Sequence, residues 1–276
     1  MTEVSVLTEN TCPGDRFRHE HGLSLLIECN GKRILFDSGQ SEVFLENSRL
    51  MGKDIGSVDI FILSHGHFDH GGGILLFLEE NKKAPLYMKK EALGNHFARR
   101  PDFYEYIGLP EELSGEERIR FTGEEEKIDE NTFLFSGLPE DIERPRSNEG
   151  LFIKGSDGNL VPDTFRHEQN LLVKDSETGK SLLITGCSHN GILNIMNFYR
   201  NRYRSYPDAV IGGFHLASRS GGNADKREIT EIGKNLLETG SVFYTGHCTG
   251  EEPFKLLKEI MGEKIHRIHA GYTCVL

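Results

Sequence analysis

The sequence predicts an α/β protein built as a four-layer αββα sandwich. Three observations carry that prediction. Short apolar runs of strand length alternate with amphipathic runs of helical spacing. The order of hairpins first and strand–helix units afterwards occurs twice, on either side of a charged middle section. The chain, at 276 residues, is long enough to bury two sheets against each other and cover both outer faces with helices.

Residues 2–7 (TEVSVL) alternate polar and apolar, as a half-buried strand does. SLLIEC (24–29) and KRILFD (32–37) flank Asn30-Gly31, the dipeptide favoured in tight hairpin turns. EVFLENSRLMG (42–52) has helical spacing and ends in a glycine suited to the position just past a helix. VDIFILS (58–64) is continuously apolar, consistent with a strand buried on both faces, and GGILLFLEENKK (72–83) reads as the helix that follows it.

The middle, about 95–150, is dense in charge with scattered Pro and Gly. It is expected to be an insertion or lid within a single domain spanning 1–276, with FARRPDF (97–103) part of the lid. A second hairpin follows, NLLVKD (170–175) and KSLLITG (180–186). Helices are expected at 191–203, 224–240 and 251–262, and strands at 208–214 and 241–246.

Composition excludes several classes. A net charge of −11 disfavours binding to a phosphate backbone, so nucleic acid is not an expected partner. No apolar stretch approaches the length of a membrane span. The start, MTEVSVLTEN, has no basic segment followed by an apolar one, which points to the cytoplasm. Five cysteines with no CxxC do not form a disulfide framework. The expected partner is a small-molecule substrate, and oligomeric state is not legible.

The chemistry concentrates in Ser64-His65-Gly66-His67-Phe68-Asp69-His70-Gly71-Gly72-Gly73. Here a strand ends and a loop opens toward a helix. His65 and His67 are two apart and share a side in extended backbone, so both reach one cation. Asp69 and His70 then serve a second cation nearby. Three other histidines repeat the strand-end placement: His189 after SLLITG-Cys187-Ser188, His215 after AVIGGF, and His247 after VFYTG. Ligands delivered from several strand ends to one rim are how α/β enzymes build metal sites. The candidate metal ligands are therefore His65, His67, Asp69, His70, His189, His247 and His215. His21 is expected to line the pocket or stand behind the ligands. His167 and Cys187 are further ligand candidates, whereas His266 and His269 read as structural. Imidazole and carboxylate donors suit one or two divalent ions, zinc first, with iron or manganese as alternatives. Such a cation lowers the pKa of its water toward about 7, and Asp69 is placed both to bind it and to take a proton from the nucleophile.

The segment from Ser64 to Gly73 resembles the H-x-H-x-D-H motif of the metallo-β-lactamase superfamily. LFDSG, containing Asp37, resembles that superfamily's first motif, whose aspartate orients the metal loop from behind the ligands. EHGLS (20–24), LFDSGQS (35–41), GCSHNGILNI (186–195), GGFHL (212–216) and TGHCTG (245–250) are similar to a subgroup of metal-dependent hydrolases. That subgroup is described as dihydropterin–ribofuranosylaminobenzene 5′-phosphate synthase-like. The resemblance runs from residue 20 to residue 250 and implies the αββα sandwich with a one- or two-metal site at the sheet edges. It implies a metal-dependent hydrolase or related transferase acting on a small anionic or phosphate-bearing, possibly pterin-related, substrate. Two departures stand out. Cys187 occupies the place of the superfamily's bridging aspartate, and is expected beside the metals. Only His167 lies where the third-motif histidine is expected, so His189 is a candidate to take over one of these roles.

For the substrate's anionic group, Arg200, Arg202 and Arg204 are the first candidates, because guanidinium suits bidentate phosphate contacts. SRSGGNADKR (218–227), a glycine-rich stretch before a helix, is the second. Two other functions compete with hydrolysis. A di-iron redox enzyme would ordinarily carry an appended flavin domain, which this chain lacks. A ligand sensor would not need an open coordination position.

Overall fold

The computed structural model describes residues 1–139 and 141–276. The first half holds strands β1 (Glu3–Thr8), β2 (Ser24–Cys29) and β3 (Lys32–Phe36), then helix α1 (Val43–Leu50) and β4 (Ile60–Ile62). A one-turn helix α2 (Phe68–Gly71), α3 (Ile74–Glu80) and β5 (Leu86–Met88) follow. The middle contributes β6 (His96–Arg99), β7 (Tyr104–Tyr106), β8 (Ile119–Phe121), β9 (Glu125–Lys127), β10 (Thr132–Phe135), β11 (Leu151–Lys154) and β12 (Leu160–Pro162). The second half holds β13 (Asn170–Lys174), β14 (Ser181–Ile184), α4 (Ile192–Tyr203), β15 (Ala209–Gly212), α5 (Lys226–Glu238) and β16 (Val242–Thr245). It closes with α6 (Glu251–Met261), β17 (Ile265–Arg267) and β18 (Thr273–Val275).

Among the described residues these strands form two seven-stranded sheets, in the orders β18-β1-β2-β3-β4-β5-β8 and β17-β16-β15-β14-β13-β10-β9. Each sheet is antiparallel where hairpins build it and parallel where strand–helix units do, from β3 to β8 and from β14 to β17. The hairpin turn at Asn30 and Gly31 has positive φ at both residues, 53° and 74°, as the primed turn requires.

The period of two along each strand assigns the layers. Ile60 and Ile62 of β4 pack with Leu182 and Ile184 of β14 and with Ile211 of β15 in a core between the sheets. Phe61 and Leu63 face the other way, onto Phe44 of α1 and onto Ile74 and Phe77 of α3. On the far side Leu183, Val210 and Phe243 pack under Ile195 and Tyr199 of α4, Leu236 of α5 and Leu257 of α6. Helix, sheet, sheet, helix is the order that the sequence predicts, and no described helix is long and apolar enough to cross a membrane.

The segment 95–150 divides between two roles. β8 and β9 extend the two main sheets at their edges, and β10 pairs directly with β13 inside the second sheet. β6 and β7 instead join β11 and β12 in a separate four-stranded sheet. That small sheet has its own apolar cluster of Ala98, Ile107, Leu151 and Phe165, with Phe68 of the metal loop against it. It therefore sits over the rim where the strand-end histidines emerge.

Candidate metal centre

The parallel strands deliver the chemistry at their C-terminal ends, where side chains leave the sheet and backbone amides end. Asp37 follows β3, Ser64 to His70 follow β4, Cys187 and His189 follow β14, His215 follows β15, and His247 follows β16. Four of these rim residues hold left-handed backbone: Asp37 (φ 59°), Ser188 (58°), His215 (47°) and His247 (48°). Non-glycine residues rarely adopt it, and such positions concentrate at functional sites.

Two donor groups result. In the first, His65 Nε2 lies 3.1 Å from His67 Nδ1 and 3.3 Å from His189 Nε2. The other nitrogens of His65 and His189 fix those two rings from behind. His65 Nδ1 meets Ser64 Oγ at 2.8 Å, and His189 Nδ1 meets Asn148 Oδ1 at 2.8 Å. Asn148 donates its amide to the His189 carbonyl, so its oxygen is the atom that accepts from Nδ1. The His189 Nε2 lone pair is thereby turned inward.

In the second group, His70 Nε2 lies 3.1 Å from His247 Nε2, and Asp69 Oδ2 lies 3.4 Å from His247 Nε2 and 3.3 Å from His21 Nε2. Asp37 accepts from the Ser64 amide and hydroxyl, both at 2.7 Å, and from His70 Nδ1 at 2.6 Å. One buried carboxylate thus fixes the entry of the loop and the tautomer of His70. Asn10 does the same for His247, accepting from its Nδ1 at 2.8 Å while also accepting from Gly22 N. Cys187 Sγ sits 3.1 Å from His70 Nε2, and one ligand-capable nitrogen of His65 lies within 4.8 Å of it. It stands between the two groups.

The electrostatics fit a cation. Burial, reinforced by neighbouring imidazoles, holds His65, His67 and His189 well below the ordinary histidine value, so each is neutral with a lone pair to offer. Burial works against ionising Asp69, yet His70, His247 and His21 outweigh it and hold the carboxylate well below its usual range. His247 runs the other way. Burial lowers it, but Cys248 and Asp69 push it up to about 9. A cation at this point replaces that proton. Neutral imidazoles, with His65 Nε2 at 3.1 and 3.3 Å from the nitrogens of His67 and His189, and a carboxylate and a thiol beside them, are a donor set for a divalent metal ion.

The two groups open into a cavity of about 360 Å³. His67, Asp69, Cys187, His189, His215 and His247 line it on one side. Ala98, Arg100, Glu105, Ile107 and Leu151 of the small-sheet region line it as well, together with Ser218, Arg219 and Ser220.

Several placements correct the sequence reading. Arg200, Arg202 and Arg204 do not line this cavity. Helix α4 starts at the rim and rises about 1.5 Å per residue, so its C-terminal arginines end far from the metal loop. Arg202 is instead bonded to the Glu125 carboxylate of β9 at 2.9–3.1 Å. Arg200 reaches Tyr206 Oη at 3.3 Å, and Arg204 ends the helix in left-handed backbone. The stretch 218–227, the second candidate, is the one that reaches the cavity. His215 joins neither histidine group. Its ring lies 4.1 Å from that of His189, and it shares a cluster with Cys187 and Cys248. Both its ring nitrogens are buried without a hydrogen-bond partner among the described residues.

His167 is not a member of the first triad either. Its Nδ1 accepts from the Gly66 amide at 2.9 Å, and its Nε2 donates to Asp163 at 3.1 Å. Sequence reasoning missed Asn10, Asn148, Glu168, His96 and Asp163. Glu168 accepts from the amides of His189 and Asn190 at 2.6 and 2.9 Å and shapes that loop. None of these carries a motif, and only the folded chain brings them to the rim.

A layered sandwich that gathers imidazoles and carboxylate from strand ends onto one rim defines a metal-binding α/β scaffold. More particularly, the chain belongs to the metallo-β-lactamase superfamily, which its residues 18–186 match. It is 35% identical over 272 residues to the 7,8-dihydropterin-6-methyl-4-(β-D-ribofuranosyl)-aminobenzene-5′-phosphate synthase of Methanocaldococcus jannaschii, covering 92% of this chain and 90% of that protein. It is 34% identical over 223 residues to the uncharacterized protein MJ0448 of the same organism, covering 79% and 80%. The crystal structure of Tm1679, described as a metal-dependent hydrolase of the β-lactamase superfamily, matches with a TM-score of 0.84 at 30% identity over 100% of this chain and 99% of that one. Unliganded yeast PDE1, at 11% identity and a TM-score of 0.60, shares the fold.

Proposed function

We propose that this protein is a metal-dependent enzyme that hydrolyses, or transfers a group from, a small phosphate-bearing substrate of pterin-related type. The observation that carries the reading is the adjacency of two donor groups at one end of a cavity whose walls also hold Arg100 and Arg219. The cavity volume of about 360 Å³ suits a small molecule. The named synthase relative supports a substrate that joins a planar ring system to a sugar phosphate.

His65, His67 and His189 would hold one divalent ion, zinc first, and Asp69, His70 and His247 a second, with Cys187 between them. When bound, such an ion supplies Lewis acidity and an activated water. The chain's own groups do the rest. Asp69, ionised and facing the cavity, receives a proton from the incoming nucleophile. His215, with both nitrogens unpaired at the cavity wall, is available to hydrogen-bond the departing group. Arg219, exposed and with no carboxylate within ion-pair distance among the described residues, attracts the phosphate. Phe68, Ile107 and Leu151 keep bulk water from the reacting atoms.

Elemental analysis of purified protein, followed by assay of the metal-loaded form, tests this. The panel comprises phosphate esters, lactones and thioesters, and a dihydropterin bearing a leaving group on its 6-methyl carbon, offered with an aminobenzene ribofuranosyl 5′-phosphate as acceptor. Turnover of a phosphate-bearing compound, lost on chelation and restored by zinc, is expected. Bound iron with a visible absorption band and redox turnover would replace the reading with an oxidoreductase. Tight ligand binding without turnover would replace it with a sensor.

A further inference from the structure

Sharing His67 with the first donor group is a buried cluster whose other members the proposed chemistry does not use: His67, His96, Asp163 and His167, whose ligand-capable atoms all lie within 4.8 Å of one another. His96 begins β6, and Asp163 and His167 lie on the connection from β12 to β13. Its protons can be assigned one after another. A backbone amide only donates, so His167 Nδ1, 2.9 Å from Gly66 N, is an acceptor. The His167 proton is therefore on Nε2, which donates to Asp163 Oδ2 at 3.1 Å. Asp163 also takes the Phe165 amide at 2.7 Å on its other oxygen. An ionised carboxylate only accepts, so His96 Nδ1, 2.9 Å from Asp163 Oδ2, carries the His96 proton. In the neutral ring His96 Nε2 is then the lone-pair nitrogen, and it is buried without a partner among the described residues.

His67 presents the complementary problem. Its Nδ1 faces His65 and His189 in the first donor group, so a neutral His67 that ligates there carries its proton on Nε2. That Nε2 is likewise buried without a partner among the described residues. The two rings meet edge to face, 77° apart with centroids 5.6 Å from each other. His96 Nε2 also lies over Gly66, next to His67 in the chain, where an added Cβ would come within 2.8 Å of it. A donor lacking an acceptor and an acceptor lacking a donor share one dry cluster, and burying either unpaired is unfavourable.

We propose that His96 is a positioning residue for His67: the two nitrogens are unpaired among the described residues of this structure, and once His67 Nδ1 holds a metal, His96, held in turn by Asp163, accepts a hydrogen bond from His67 Nε2 and so keeps the Nδ1 lone pair on the metal. The inference rests on His67 being a ligand. It goes beyond that reading by assigning an Asp163–His96–His67 relay to three residues far apart in sequence. The same cluster is not a third metal site, because the His167 Nε2 that would have to ligate already carries a proton.

The test compares wild type with His96→Leu, which removes the acceptor, and His96→Gln, whose side-chain oxygen can accept. Zinc affinity is measured by chelator competition, zinc content by elemental analysis at saturation, and folding of the metal-free proteins by circular dichroism. His96→Leu is expected to lose about 10–100-fold in zinc affinity at unchanged saturating content, the range typical of such supporting partners. His96→Gln is expected to recover most of it. Should the leucine variant fail to fold, nitrogen-15 NMR of histidine-labelled, zinc-loaded wild type decides, with the proton expected on His67 Nε2 and His96 Nδ1. A leucine variant that binds zinc as tightly as wild type overturns the proposal, as does a His96 proton found on Nε2. Variants that lose one zinc equivalent with the remainder bound as before overturn it in favour of a third metal site. Wild type that takes up no metal removes the metal-centre reading itself, and this proposal with it.

Discussion

Three imidazole nitrogens crowded to 3.1–3.3 Å in a dry site are not a restful arrangement for neutral lone pairs. His65 and His189 are held there by hydrogen bonds on their far sides, and a cation would relieve the crowding. His67→Ala is therefore expected to give a folded protein that binds less zinc and loses at least about 100-fold in activity. Circular dichroism, elemental analysis and a rate measurement together check it. Full activity in a folded, metal-free variant would falsify the metal role. Asp69→Asn keeps the shape but removes the charge, and is expected to lower kcat about 10²–10⁴-fold. Arg219→Ala is expected to raise KM for phosphate-bearing substrates roughly tenfold, with little change for neutral ones. An equal effect on both kinds of substrate would show that Arg219 shapes the wall rather than attracting the anion.

At the scale of elements, the rim depends on how closely strand ends approach. Gly186, just past β14, lies so near Ser64 that an added Cβ would come within 2.2 Å of Ser64 Oγ and 3.1 Å of His65 Nδ1. Ser64 is the residue through which Asp37 holds the loop. Gly186→Ala is therefore expected to destabilise the fold by about 1–3 kcal/mol, as overpacking does. It should also weaken zinc binding more than a substitution of similar cost elsewhere. Denaturant melts beside chelator competition measure the two effects, and a variant with wild-type zinc affinity would contradict the link. The helices play a quieter part. Asp225 caps α5 by accepting from Glu228 N at 2.9 Å, and its loss touches stability alone.

For the whole molecule, the candidate metal centre joins both halves of the sandwich, since His65 and His67 follow a strand of one sheet and His189 a strand of the other. Removing the metal should therefore loosen the entire structure. At free zinc about 1,000-fold above its dissociation constant, binding contributes about 4 kcal/mol. Chelation is then expected to lower Tm by roughly 10 °C, and a shift under about 2 °C would argue that metal and fold are uncoupled. A second tie is electrostatic. Asp175, buried in the turn between β13 and β14, accepts from the Thr178 amide and also from the Thr2 hydroxyl of the other sheet, at 2.9 Å in each case. The Thr178 amide leads the contacts that hold its carboxyl below the ordinary 3.8, against the effect of burial. Its stabilisation is thus complete above that pH and is lost as the pH falls below about 4. Asp175→Asn should flatten this part of the acid-unfolding curve, which melts between pH 5 and 2.5 would record.

The sequence by itself determined the layered architecture and the metal loop. Period-two apolar runs, Asn30-Gly31 and helical spacing are local signals, and strand-end histidines need only the strands to be recognised. In the middle section the signal fails for a physical reason. β8 and β9 are three-residue edge strands that bury little, so their charged residues carry no alternation. β10 (TFLF) was legible as an apolar run, but its surroundings concealed it. Only the tertiary structure decided which cations reach the cavity, because a helix carries Arg200 and Arg202 away while a loop brings Arg219 in. It alone placed His189 beside His65 and His67, set His167 against the Gly66 amide instead, and brought Asn10, Asn148, His96 and Asp163 around these side chains. Hydrogen bonds between residues more than a hundred positions apart, such as His167 to Gly66, leave no periodicity to read. They exist because two sheets, folded from separate halves, bring their rims together.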